Sequence, residues 1–96
     1  MIAHVAVHWL KAERREQALQ RIIKAGEDQR TQPGLVDRRV MVSESDPLKV
    51  TSLSIWRSQA DVDVWRKHPL YLAGREGLGD NWSRPTEHEY FEVVEP

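Results

Sequence analysis

An imidazole titrates near neutral pH, so a well-placed histidine is the natural group to take a proton from an acidic hydroxyl such as a phenol. Three of the four histidines stand where the local pattern draws attention to them. His4 and His8 lie four residues apart in IAHVAVHWL. In a strand they share one face, with Cα atoms ~13 Å apart. That span is too long for the pair to chelate one metal ion unaided. They are separate bases, or hydrogen-bonded structural residues. His68 precedes Pro69 at the end of a periodic apolar segment, and loops at helix ends often carry function. The alternative is a surface histidine at a helix C-terminus, where positive charge is favoured. Four tryptophans in 96 residues is a high count, and a domain this small has difficulty burying four indoles in one core. Some are expected to line a pocket or an interface, where an indole stacks on a flat ligand. Trp65 is either a core anchor or a pocket wall. Trp56 ends an apolar segment, and Tyr71, Asn81 and Trp82 lie beside or in a glycine-rich one. Trp82 reads as a lid over a pocket or as a contact with a partner. Arg38 and Arg39 point to opposite faces of one strand. An arginine in a pocket could hold a carboxylate or a developing oxyanion.

The elements that must position these groups follow from periodicity. Residues 2–10 read as a strand, with Ala3, Val5, Val7 and Trp9 on one face and Ile2, His4, Ala6, His8 and Leu10 on the other. Parity alone leaves open which face meets the helices. Residues 12–31 read as a helix, because Ala18, Leu19, Ile22, Ile23, Ala25 and Gly26 make one apolar stripe. Gly26 inside it either allows a close approach to the sheet or is simply tolerated. Pro33-Gly34 suits a type II turn. Residues 35–43 and 48–57 read as an antiparallel hairpin. Ser58 and Asp61 have capping-box spacing, so a second helix starts there and ends near Lys67, with a further helical turn at 70–73. Residues 74–86 read as a loop, and 87–94 as the last strand. The order β-α-β-β-α-β gives a four-stranded antiparallel sheet with both helices on one face. The other face then needs a cover, and a second copy related by two-fold symmetry is the natural one.

Composition narrows the classes. The chain is expected to be a single α+β domain over residues 1–96. A domain of this length buries only about 60–65% of the surface of its unfolded chain, so self-pairing would help it. There is no cysteine, which excludes disulfides, thiolate metal sites and a cysteine nucleophile. The formal charge of −1 gives no basic field for nucleic acid. The N-terminal residues do not resemble a signal peptide, and no apolar run approaches the ~20 residues of a membrane span, so a cytoplasmic location without membrane contact is expected. Glycine-rich phosphate loops, Ser/His/Asp signals and HExxH-like zinc patterns are absent, and no metal site is expected.

One segment carries a resemblance. LSIWRSQADVDVWRKHPLYLA at 53–73 has a strand ending in Trp, a serine cap, a helix with an aromatic residue, then His-Pro and a short apolar turn. With Gln-Pro-Gly-Leu at 32–35 and Phe91-Glu92-Val93-Val94 in the last strand, it resembles the antibiotic biosynthesis monooxygenase domain family over nearly the whole chain. The resemblance implies a ferredoxin-like unit that dimerises through its sheets into an α+β barrel. It implies a pocket between helices and sheet near Ala6. It also implies oxygenation of a small aromatic or quinol molecule without metal or flavin, hence no cofactor. On that reading His8 or His68 is the catalytic base, and His4, Trp56, Trp65, Tyr71 and Trp82 contact the substrate. The haem-degrading branch of the family has a first-strand Asn, a second-helix Trp and an iron-ligating His after that helix. Trp65 matches the Trp. The other two positions fall at about Ala6 and at Gly74 or Arg75. A ligand-binding dimer without chemistry is the remaining alternative.

Overall fold

A computed structural model describes all 96 residues. Strand β1 (Ile2–Leu10) leads through a 3-10 turn (Ala12–Arg14) into helix α1 (Arg15–Gln29). Strands β2 (Leu35–Val42) and β3 (Lys49–Trp56) follow, then helices α2 (Gln59–Arg66) and α3 (Pro69–Gly74), a second 3-10 turn (Leu78–Asn81) and β4 (Trp82–Glu92). The sheet order is β2-β3-β1-β4, with every neighbouring pair antiparallel. This is the α+β, ferredoxin-like arrangement expected from the element order.

Alternation along β3 decides which sheet face carries the helices. Val50, Ser52, Ser54 and Trp56 are buried, whereas Thr51, Leu53 and Ile55 between them are only half-buried. Val50 packs with Leu10 and with Ala18 and Ile22 of α1. Trp56 packs with Val62 and Trp65 of α2. Both helices therefore cover the same face. Register carries that face across the sheet: Ser54 pairs with His4 and Ser52 with Ala6, while Arg38 pairs with Ser54. The face holding His4, Ala6 and His8 points to the helices. The Ala3-Val5-Val7-Trp9 face is the open one. There Lys49 and Arg84 sit over the Trp9 ring, 5.9 and 3.4 Å from its centroid.

Local chemistry explains the boundaries. Ser58 Oγ accepts a hydrogen bond from the Asp61 amide at 3.2 Å and donates to Asp61 Oδ2 at 2.8 Å, which starts α2. Pro69 ends its run, and His68 caps α3 instead: its Nδ1 accepts from the Leu70 amide at 3.1 Å. Gly26 is buried, and a Cβ there would stand 3.1 Å from Arg38 Nε and 3.2 Å from its Cγ. The glycine lets the Arg38 side chain lie against α1.

Two expectations need correction. The turn at Pro33-Gly34 is not type II, because Gly34 does not take a positive φ. Its glycine answers a spatial need: a Cβ would overlap the Asp61 side chain. The segment 74–86 is not one loop. Its first part ends α3 and forms the second 3-10 turn, and β4 begins at Trp82. Register shifts opposite Trp9 place bulges around Pro85. β4 is an edge strand, where a proline's missing N–H breaks no ladder.

Candidate functional site

The two apolar clusters do not meet. Between them lies a polar seam built from α1, β2 and β3. Arg38 Nη1 donates to Gln29 Oε1 at 3.1 Å and to Ser54 Oγ at 3.0 Å, and Nη2 donates to the Ile22 carbonyl at 3.0 Å. Ser54 Oγ in turn donates to Gln29 Oε1 at 2.7 Å. Arg38, Gln29 and Ser54 are all buried, and Arg38 Nε has no acceptor.

Beside this seam a cavity of about 380 Å³ opens between sheet and helices. Its volume falls in the ~300–1,000 Å³ range of small-molecule sites. His4, Ala6 and His8 form the β1 wall, and Ser52 and Arg38 continue it. Trp65 of α2 and Tyr71 of α3 close one side, and Trp82, Thr86 and His88 of β4 the other. The rings are ordered by stacking. His8 lies on Trp82 with centroids 4.8 Å apart. His4 lies on Tyr90 at 4.4 Å and is nearly coplanar with His88, centroids 5.2 Å apart. Tyr71 meets Trp65 edge-on at 5.8 Å.

Hydrogen bonds fix the imidazoles. His8 Nδ1 is 3.0 Å from Thr86 Oγ1, and its Nε2 is 3.5 Å from Ser52 Oγ, at the limit of a bond. His4 Nε2 is 2.9 Å from His88 Nδ1. Burial, then the neighbouring His88 and Arg38, push both His4 and His8 down to about 4. His88 is lowered as well, by burial and then by Arg75. At neutral pH the His4 and His8 rings are therefore uncharged.

A larger groove of about 740 Å³ runs along the outside of α1. Its walls are charged and amide side chains, with Ile23 the one apolar residue. It gathers neither histidine nor aromatic ring, whereas the smaller cavity gathers both.

Of the residues expected at the site, His4, His8, Trp65, Tyr71 and Trp82 line this cavity. Trp82 does so from the first position of a strand, packed on the Leu10 cluster, rather than from a loop lid. Two residues stand elsewhere. Trp56 is 2% exposed and lies behind Trp65, ring centroids 6.0 Å apart, as a core residue. His68 stacks on Trp65 at 5.6 Å and spends its Nδ1 on capping α3, outside the cavity lining. Asn81, also buried, accepts from Arg14 Nε at 3.0 Å and so ties the 3-10 turn before α1 to the one before β4. Sequence reasoning missed His88. Its alternation with Tyr90, on a strand that pairs with β1, was the available signal: Ala6 is opposite His88, and His4 is opposite Tyr90.

The sequence profile of the antibiotic biosynthesis monooxygenase family matches residues 1–77. The chain belongs to this family. Solved structures agree on the fold. Rv0793 from Mycobacterium tuberculosis superposes with a TM-score of 0.91 at 18% identity, covering 99% of this chain and 96% of that one. A conserved protein from Methanosarcina mazei gives 0.87 at 19% identity, with 94% and 89% covered. SnoaB, described as a cofactor-independent oxygenase from Streptomyces nogalater, gives 0.88 at 13% identity, with 99% and 94% covered. No curated protein matches the chain. Ala6, Gly74 and Arg75, near which the resemblance puts the haem branch's Asn and iron-ligating His, all line the cavity, and none of them is an Asn or a His.

Proposed function

We propose that this chain is a cofactor-independent monooxygenase acting on a small aromatic or quinol substrate, as a cytoplasmic homodimer in which residues 1–96 serve as one domain. The observation that carries the reading is His8, an uncharged imidazole held on the wall of an aromatic-lined cavity. It is oriented through Nδ1 by Thr86, and its Nε2 is only loosely engaged by Ser52. Family membership supports it.

The substrate ring would lie against Trp65, Tyr71 and Trp82. His8 would take the proton from an acidic C–H or O–H, leaving an electron-rich anion beside the Arg38 guanidinium. That anion reduces O2 by electron transfer. For an anthrone-type methylene carbon the balance is complete: two C–H bonds break, one oxygen atom becomes the ketone, and the other leaves as water. The substrate supplies all four electrons. The protein binds, orients, excludes water and moves the proton. The proton held on His8 then goes to the oxygen atom that leaves as water.

Oxygen uptake with anthrones and simple hydroquinones tests this. Replacing a general base costs about 10²–10⁴-fold in rate, so His8→Ala is expected to fall by that factor. His68→Ala, outside the cavity, is expected to stay near wild type. Equal activity of His8→Ala and wild type removes the base assignment.

A further inference from the structure

The least explained group in the fold is Arg38. It is 6% exposed, and burying a cation is costly unless a counter-ion or hydrogen bonds compensate it. Its three protein acceptors are an amide oxygen, a hydroxyl and a backbone carbonyl, all formally neutral. The three ion pairs of the chain are Lys24–Asp28, Arg39–Asp37 and Arg57–Asp61, and Arg38 joins none of them. Of its five N–H groups, the Nε–H is buried without an acceptor, and Nη2 makes a single bond.

The rest of the cavity does not supply the missing charge. Arg21 and Arg75 also line it, and the one carboxylate there is Asp28. Asp28 is held by Lys24 at 2.5 Å. Arg21 bonds the carbonyls of Gly74 and Glu76, and Arg75 bonds the Tyr71 hydroxyl. His4 and His8 are uncharged. Burial and then Arg30 lower Arg38 itself only to about 10, so it stays a cation at neutral pH. Three arginines therefore meet one carboxylate, itself already paired, around a space walled by aromatic rings. The position is also built for this residue, since Gly26 leaves room for its side chain against α1.

We propose that Arg38 is the seat of an anion, and that the cavity selects flat aromatic molecules carrying an ionised hydroxyl or a carboxylate. This rests on reading the cavity as an aromatic-ligand site and narrows the substrate class to acidic aromatics. It requires no oxygen chemistry.

The test uses the full chain and the emission of the wall indoles Trp65 and Trp82. Three probes are titrated at pH 7: hydroxynaphthoquinone, which is ionised there, naphthoate, and the neutral methoxynaphthoquinone. At least one anion is expected to bind about tenfold or more tightly than the neutral ether, as a charge-assisted contact requires. Preference for the first assigns an ionised hydroxyl, and preference for the second a carboxylate. Arg38→Gln should abolish the preference, and Arg38→Lys should keep part of it. A measurement on the wild-type chain guards against a misfolded variant: the ionisation of bound hydroxynaphthoquinone, followed by its colour, should fall by about one pH unit or more. Equal binding of all three probes, binding of none, a preference intact in Arg38→Gln, or an ionisation unshifted by binding overturns the proposal. Oxygen uptake with an anthrone as substrate, measured on the same wild-type and Arg38→Gln preparations, separates the two readings. Anion binding without uptake keeps the Arg38 site and removes the monooxygenase. Uptake with Arg38→Gln indistinguishable from wild type does the reverse.

Discussion

At the scale of residues, the cavity is governed by how burial treats charge. His8 carries its proton poorly because the folded chain desolvates it and sets Arg38 and His88 nearby. A base works in its unprotonated form, and a lowered folded value means that form persists to lower pH. With a substrate that does not itself titrate in the window, kcat/KM is expected to hold level from pH 7 to about 5 and to fall only near 4. An acid limb near 6.5, the ordinary histidine value, would contradict the assignment. The histidine pair on one strand face was legible in the sequence, because a period of two leaves no choice. Their burial was not legible. The Ala3-Val5-Val7-Trp9 face is the more apolar of the two and could equally have been the covered one; the packing of Val50 and Trp56 under the helices shows that it is not. Arg38 was visible as one of two arginines on opposite faces. That it, and not Arg39, is the buried one depends on register with Ser54.

At the scale of elements, helix α1 and strand β2 are fitted to each other at Gly26. In an exposed helix, replacing a glycine gains up to about 1 kcal/mol. Here a side chain would collide with the Arg38 stem. Gly26→Leu is expected to lower stability by about 1–3 kcal/mol, as overpacking does, and to disturb ligand binding with it. Chemical denaturation reads the first effect, and a stabilised variant would refute the fit. Helix α2 was legible from its Ser58-Asp61 spacing, and the hairpin from its turn. The start of β4 was not. Glycine and proline between 74 and 86 read as loop punctuation, whereas an edge strand with bulges accepts Pro85. That misplacement also turned Trp82 into a lid, when it is a strand residue stacked on His8.

At the scale of the molecule, the sheet has one covered face and one open face. Val5, Leu53, Ile55 and Phe91 lie on the open side, with Phe91 45% exposed. A second copy packed there by two-fold symmetry would bury these residues and leave each cavity on its own helix side. Sedimentation is expected to give the mass of two chains for wild type and of one for Leu53→Glu; a monomeric wild-type chain would refute the pairing. The four-stranded antiparallel sheet with both helices on one face, and its need for a cover, followed from element order, whereas the proposed chemistry rests on groups from β1, β2, β3, β4, α1, α2 and α3 converging on one space. Reaction with an anthrone under isotopically labelled oxygen gas decides whether the cavity inserts oxygen from O2. One labelled atom in the ketone, the other in water, and loss of turnover in His8→Ala are expected. A product without label, or turnover no faster than in protein-free buffer, would contradict the proposed activity.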